Sequence, residues 1–221
     1  GDLARTAESP VARDAARIRQ ELLTPIAKAW STDVGVEVAS LGVQVHGGMG
    51  YIEETGAAQI LRDARIAPIY EGTNGVQALD LAGRKLDQTQ GEAMRAVVAD
   101  ALATADAMSG APGLQSAAAW LVEGARALED ATAWLLDHRG ADSLTGASAY
   151  LTLAGDVVGG WMLGRQALLA AGAEPWLRAK APLARFYGSQ VLSRAPGLAA
   201  AVKAGGRDLD AGELGLLAEM K

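Results

Sequence analysis

The 221-residue chain has no cysteine, two histidines and one phenylalanine, and aromatic residues make up only 5% of it. Without thiols, disulfides, thiolate metal sites and cysteine nucleophiles are excluded. His46 and His138 stand far apart in sequence, so no metal site is expected. No run reaches the ~20 apolar residues of a membrane span. The richest stretch, 147–172, is interrupted by Asp156 and Arg165. Basic blocks are also missing: the net charge is −6, a poor balance for binding nucleic acid. The start, Gly1-Asp2-Leu3-Ala4-Arg5, has neither the basic nor the apolar part of a secretory leader, and no initiator Met. The expectation is a cytoplasmic protein, or an excised piece of one.

What is present is alanine, roughly a fifth of the chain, with 27 glycines, 50% hydrophobic residues and 21% charged ones. Alanine is the best helix former, whereas strands favour β-branched and aromatic residues. The composition therefore predicts an all-α protein, two helical modules meeting near residue 90.

Ser9-Pro10 is a helix start, and Val11, Ala15, Ile18, Leu22 and Ile26 follow at helical spacing. Pro25 should kink that helix or begin a second one capped by Thr24. Ser31-Thr32-Asp33 offers a further cap, with Val34, Val38, Leu41 and Val45 behind it as one apolar stripe ending at Gly47-Gly48. Another helix is expected over 54–65, then a connector through Pro68, then a helix capped by Thr73 or Asn74. Beyond residue 90, Leu114, Ala118, Leu121, Ala125, Leu128, Thr132 and Leu135 alternate four and three, a bundle-like seam. Thr132 is its one polar member, and its hydroxyl should bond the preceding turn. A long helix carries Leu151, Ala154, Val158, Trp161 and Leu168, with Gly155, Gly159 and Gly160 admitting a close neighbour. A last helix, over 182–193, should precede Pro196 and a weaker tail.

Two short segments stand apart from this background. In Gln44-Val45-His46-Gly47-Gly48-Met49-Gly50-Tyr51, three glycines in four residues either end a helix or let a ligand approach the backbone. A hydrolase oxyanion loop is excluded by the missing Gly-x-Ser-x-Gly elbow, and a dinucleotide or P-loop by the missing strand. In Ile69-Tyr70-Glu71-Gly72-Thr73-Asn74, a carboxylate sits at a helix entrance. It is either a solvated charge favouring the helix dipole or, in a dry setting, a strengthened base.

Together these segments carry a resemblance. Gln-x-x-Gly-Gly-x-Gly-Tyr at 44–51, Leu-Arg-Asp-Ala-Arg at 61–65 and Tyr-Glu-Gly-Thr at 70–73 resemble, in order and spacing, the C-terminal helical domain of flavin-dependent acyl-CoA dehydrogenases. Leu23-Thr24-Pro25-Ile26-Ala27-Lys28 also fits. Residues 153–161 and Ala184-Arg185-Phe186-Tyr187 are similar, less specifically, to a helical extension found in one branch of that family. The implied organisation is residues 1–90 as the end of the dehydrogenase C-terminal domain and 91–221 as the extension. The resemblance implies oxidation of an acyl-CoA to a trans-2-enoyl-CoA with FAD as hydride acceptor. It makes Glu71 the α-proton base, places Tyr70, Glu71 and Gly72 at the substrate, and sets Gln44, Gly47, Gly48 and Thr73 against the flavin cofactor, the first three on FAD held mainly by a neighbouring subunit. His46 is expected to pack. Gly75 departs from a Gln common in relatives, so that flavin contact is either lost, supplied by Gln77 or made by backbone. A homo-oligomer and an electron-transfer flavoprotein acceptor are further implications. The other function class is a non-catalytic helical oligomerisation or interaction module.

Overall fold

The computed structural model describes residues 2–169 and 174–206. Every regular element among them is helical, as the alanine-rich composition predicts. The chain divides into two compact units, Gly1–Leu81 and Ala82–Lys221.

The first unit is built on one long helix, α2 (Pro10–Val45), of 36 residues or about 54 Å. Ser9 caps it as expected, its hydroxyl accepting from the Ala12 N–H at 3.0 Å. No new helix begins at Thr24 or at Ser31-Thr32-Asp33, contrary to the sequence reading. Instead of capping, the Thr24 hydroxyl donates to the Gln20 carbonyl and the Thr32 hydroxyl to Lys28, both at 2.8 Å, so each back-bonds inside the helix. Pro25 removes one donor but sits in the buried face of Leu22, Pro25, Ile26 and Ala29, whose packing carries the helix across it. The stripe Val38, Leu41 and Val45 is exposed rather than core. Helical spacing identifies an apolar face, but not what covers it.

Short elements pack on α2: α1 (Asp2–Thr6), α3 (Gly48–Tyr51), α4 (Ala57–Arg65) and α5 (Asn74–Asp80). The helix expected over 54–65 is split, because Gly56 is left-handed at φ +78° and separates the tight turn Glu53–Thr55 from α4. After α5 a π turn, Leu81–Lys85, leads to α6 (Leu86–Thr89).

The second unit is a bundle of α7 (Glu92–Ser109), α8 (Gln115–Asp137), α9 (Ala141–Leu168), α11 (Lys180–Gln190) and α12 (Ala195–Ala204), with the short α10 (Pro175–Arg178) before α11. The α8 seam is buried from Leu114 to Leu135. Thr132 does bond back, donating to the Leu128 carbonyl at 2.7 Å, and it also meets the buried Tyr150 hydroxyl at 2.7 Å. Helix α9 is more central than one stripe suggests: Tyr150, Leu151, Leu153, Ala154, Asp156 and Val157 are all buried. Pro196 does not open the weaker tail directly, and the residues beyond 206 lie outside the described residues. The proline stands in the first turn of α12, where its missing N–H costs nothing.

Small residues decide how closely these helices approach. Leu192 lies between Gly160 of α9 and Gly124 of α8. A Cβ on Gly160 would fall 2.8 Å from Leu192 Cδ1, and one on Gly124 3.2 Å from Cδ2. Gly160 thus admits a close neighbour, as the sequence predicts. The polar core is fully paired among the described residues. Asp156, inaccessible to solvent, takes a two-pronged bond from Arg194, Nε to Oδ2 at 2.7 Å and Nη2 to Oδ1 at 2.8 Å. The Tyr187 hydroxyl donates to the Asp156 carbonyl at 3.0 Å. The two segments carrying the extension's likeness therefore meet each other.

Burial, only partly offset by the Thr132 bond, pushes the Tyr150 phenol well above its ordinary value of 10.0. A raised folded value means that this group's stabilisation is complete below about pH 10 and is lost as pH rises beyond it. Unfolding would then release a proton, at about 1.4 kcal/mol per pH unit. Tyr150→Phe should show a shallower loss of unfolding free energy than the parent between pH 10 and 11 in urea melts. Parallel slopes would remove Tyr150 as the cause.

Candidate functional site

The 66–76 segment folds against α2 through a small set of polar bonds. The Asn74 N–H closes the turn onto the Pro68 carbonyl at 3.0 Å. Thr73 rather than Asn74 is the cap of α5, its hydroxyl accepting from the Val76 N–H at 3.5 Å. Asn74 is freed for a different task. Its Nδ2 donates to the Ala29 carbonyl at 3.0 Å, the Thr32 hydroxyl at 3.0 Å and the Asp33 carboxylate at 2.7 Å. Its Oδ1 accepts from Lys28 Nζ at 2.8 Å, and the same ammonium donates to the Gly72 carbonyl at 2.8 Å. Lys28 also lies 6.0 Å from the centre of the Tyr70 ring.

Between these ties the backbone takes an unusual course. Glu71 has φ +55° and Gly72 φ +84°, both left-handed. For glycine this is free, but for glutamate it costs about 1–2 kcal/mol. Such strain persists where surrounding structure imposes it. Here the Glu71 carbonyl accepts from Gln77 Nε2 at 3.3 Å and the Gly72 carbonyl from Lys28. The Gln77 amide lies 3.0 Å from where a Gly72 Cβ would stand, so a side chain there would displace it, while the positive φ itself favours glycine. Gln77 is thus engaged by the Glu71 backbone.

Glu71 is exposed, as are Ile66, Ile69 and Tyr70 around it. The apolar neighbourhood read from the sequence exists, but it lies open and does not form a dry pocket around the carboxylate. The glycine loop is also open. Gln44, Gly47 and Gly48 are exposed, Gly47 has φ +60°, and a Cβ at Gly47 or Gly48 would meet nothing within 4 Å. An extended ligand could lie directly on this backbone. Gly50 differs, since a Cβ there would fall 2.2 Å from the Val43 carbonyl oxygen, so the loop folds tightly onto the end of α2 at that one position. His46 does not pack. It is exposed, with Nδ1 2.8 Å from the Gly42 carbonyl.

Four predicted residues, Tyr70 to Thr73, therefore share one strained turn, while Gln44, Gly47 and Gly48 lie together at the open C-terminal end of α2. Lys28 and Gln77 are the functional candidates that motif reading missed or left undecided. The only sequence signal for Lys28 was its place in the Leu23–Lys28 stretch. No group of three or more His, Cys, Asp or Glu residues that could hold a metal occurs among the described residues. No helix among them is long and apolar enough to cross a membrane.

If the turn imposes the conformation of Glu71, Glu71→Gly should raise stability by about 0.5–1 kcal/mol, the relief of strain exceeding the entropy gained by the unfolded chain. Urea unfolding of the 221-residue chain measures this. A loss of stability would show that Glu71 is not strained.

Residues 3–86 match the family described as "Acyl-CoA dehydrogenase, C-terminal domain", and residues 90–211 match "Acetyl-CoA dehydrogenase C-terminal like". The chain is 42% identical over 191 residues to the 3-methylmercaptopropionyl-CoA dehydrogenase of Ruegeria pomeroyi, covering 82% of this chain and 32% of that protein. It is 48% identical over 61 residues to the short-chain specific acyl-CoA dehydrogenase of Megasphaera elsdenii, covering 28% of this chain and 16% of the relative. It is 39% identical over 61 residues, with the same coverages, to the caffeyl-CoA reductase-Etf complex subunit CarC of Acetobacterium woodii. The chain thus spans about a third or less of the length of these curated relatives. With its two consecutive helical matches, the chain belongs to the acyl-CoA dehydrogenase family, to the C-terminal helical part of it.

Proposed function

We propose that this chain is the base-bearing C-terminal part of an acyl-CoA dehydrogenase that converts an acyl-CoA to a trans-2-enoyl-CoA. The observation that carries the reading is Glu71, held in a left-handed conformation between a Lys28-anchored carbonyl and the α5 cap. Strain at a carboxylate, imposed by its neighbours, is the mark of a positioned group.

In this reading the Glu71 carboxylate accepts the α-proton of the thioester substrate. A carboxylate is a weak base for a carbon acid, so the thioester oxygen must be held by donors as charge moves onto it. The Glu71 backbone N–H suits that part: it has no acceptor among the described residues. Gly72 leaves space beside the base, and the Tyr70 ring offers an apolar wall for the acyl chain. FAD would be held by Gln44, Gly47, Gly48 and Thr73, and when bound it supplies the acceptor for the β-hydride. The open glycine backbone fits such a ligand, because no side chain or neighbour blocks Gly47 or Gly48.

Glu71 and its apolar neighbours are exposed in this chain, so the dry setting comes from surfaces that the chain does not contain. A homo-oligomer would supply part of them, and electron-transfer flavoprotein is the proposed acceptor of the electrons. The Etf complex in the name of the Acetobacterium woodii relative supports the latter. The exposed apolar residues also favour a second reading, a non-catalytic helical oligomerisation or interaction module.

In the complete enzyme carrying this segment, Glu71→Gln should lower turnover by at least ~10²-fold and stop exchange of the substrate α-proton with deuterated solvent. Full turnover would remove Glu71 from the base role and leave the interaction module. The 221-residue chain by itself is expected to bind FAD weakly or not at all and to show no dehydrogenation. Bound-flavin absorbance together with acyl-CoA turnover by the purified chain would contradict this.

A further inference from the structure

We propose that Lys28 is the positioning residue of the Glu71 turn, acting through the Gly72 carbonyl and the Asn74 side chain. The inference rests on the reading of Glu71 as base and adds the device that aims it.

The geometry is specific. A lysine on a surface helix usually leaves its ammonium in water. This one is only partly exposed, and two of its three donors end on neutral oxygens of the turn, Gly72 O and Asn74 Oδ1, each at 2.8 Å. The bond to Asn74 fixes which way the amide points. With Oδ1 on the ammonium, Nδ2 must face α2, where it meets Ala29, Thr32 and Asp33. Lysine and aspartate thus act at opposite ends of one amide, and both bonds are charge-assisted.

The consequence for Glu71 follows from the backbone. Holding the Gly72 oxygen fixes the plane of the peptide after Gly72. The Gln77 donor on the Glu71 oxygen fixes the plane before it. With both planes held, the left-handed Gly72 between them is fixed, and with it the peptide that leaves Glu71. The Tyr70 ring beside the ammonium ties the residue on the other side. Lys28 itself touches no reacting atom in this scheme. It determines where the carboxylate and the adjacent N–H point.

Lys28→Met keeps the apolar stem and removes the donors, Lys28→Arg keeps the charge, and Asn74→Ala removes the partner. In hydrogen exchange of the 221-residue chain, Lys28→Met should speed exchange of the hydrogen-bonded Tyr70 and Asn74 amides by about 10-fold, with α2 and α4 unchanged. In the complete enzyme its kcat should fall by ~10- to 100-fold, as expected for a small displacement of a reacting group. KM and flavin content should stay within about 3-fold. Asn74→Ala should behave alike, and Lys28→Arg should recover part of the loss. Unchanged kcat in Lys28→Met, beside an inactive Glu71→Gln enzyme, would overturn the positioning role and leave the base. Loss of protection throughout α2, or a loss of flavin matching the loss of kcat, would also overturn it in favour of a general structural role. Full activity of Glu71→Gln would overturn the base reading, and the positioning role with it.

Discussion

One ammonium group organises the candidate site. Lys28 projects from the middle of a 36-residue helix and bonds a carbonyl and an amide of a turn more than forty positions away. Without donors from α2 the turn would keep only its backbone closure, its cap and the Gln77 bond to the Glu71 carbonyl. The long helix matters for the same reason. Lys28, Ala29, Thr32 and Asp33 present their groups to Asn74 from adjacent turns of an uninterrupted spiral. A helix broken at Thr24 or Ser31 would lose that register.

The second unit solves a different problem with buried charge and small residues. Its central helix carries Asp156 fully buried, and the Arg194 fork satisfies both carboxylate oxygens. Removing Arg194 would strand the buried Asp156 carboxylate, so the pair constrains how the chain around Arg194 docks on α9. Leu192, two residues earlier, settles between Gly124 and Gly160. A buried ion pair and a leucine seated against two glycines thus fix one docking register, the kind of specificity that an alanine-rich interface lacks.

The first unit leaves its functional loops open. Glu71 costs stability through its backbone, and Ile66, Ile69 and Tyr70 cost it through exposure. A segment that only had to fold would have a glycine at 71 and polar residues around it. Strain and exposed apolar surface in one place fit the proposed site, which other surfaces would complete. This agrees with a chain that spans a third or less of the length of its relatives.

The sequence by itself determined the all-helical class, the Ser9 cap, the α8 seam with the inward bond of Thr132, and the two glycine-bearing motifs. Each of these depends on local propensity or helical spacing. Tertiary structure decided the rest. Pro25 read as a kink or a new start, and Thr24 and Ser31 as caps, yet packing of Leu22, Ile26 and Ala29 carried the helix through them. Val38, Leu41 and Val45 read as one apolar stripe, yet periodicity contains no information about a covering partner. Pro196 read as an ending and became a beginning. Gln77 stood as one substitute for a missing side chain, and its amide went to the Glu71 carbonyl. Lys28 had no motif of its own, because its role is a bond between residues distant in sequence and adjacent only after folding. Patterns of a few residues encode helices and caps; the direction in which Glu71 faces depends on donors that only the folded chain brings together.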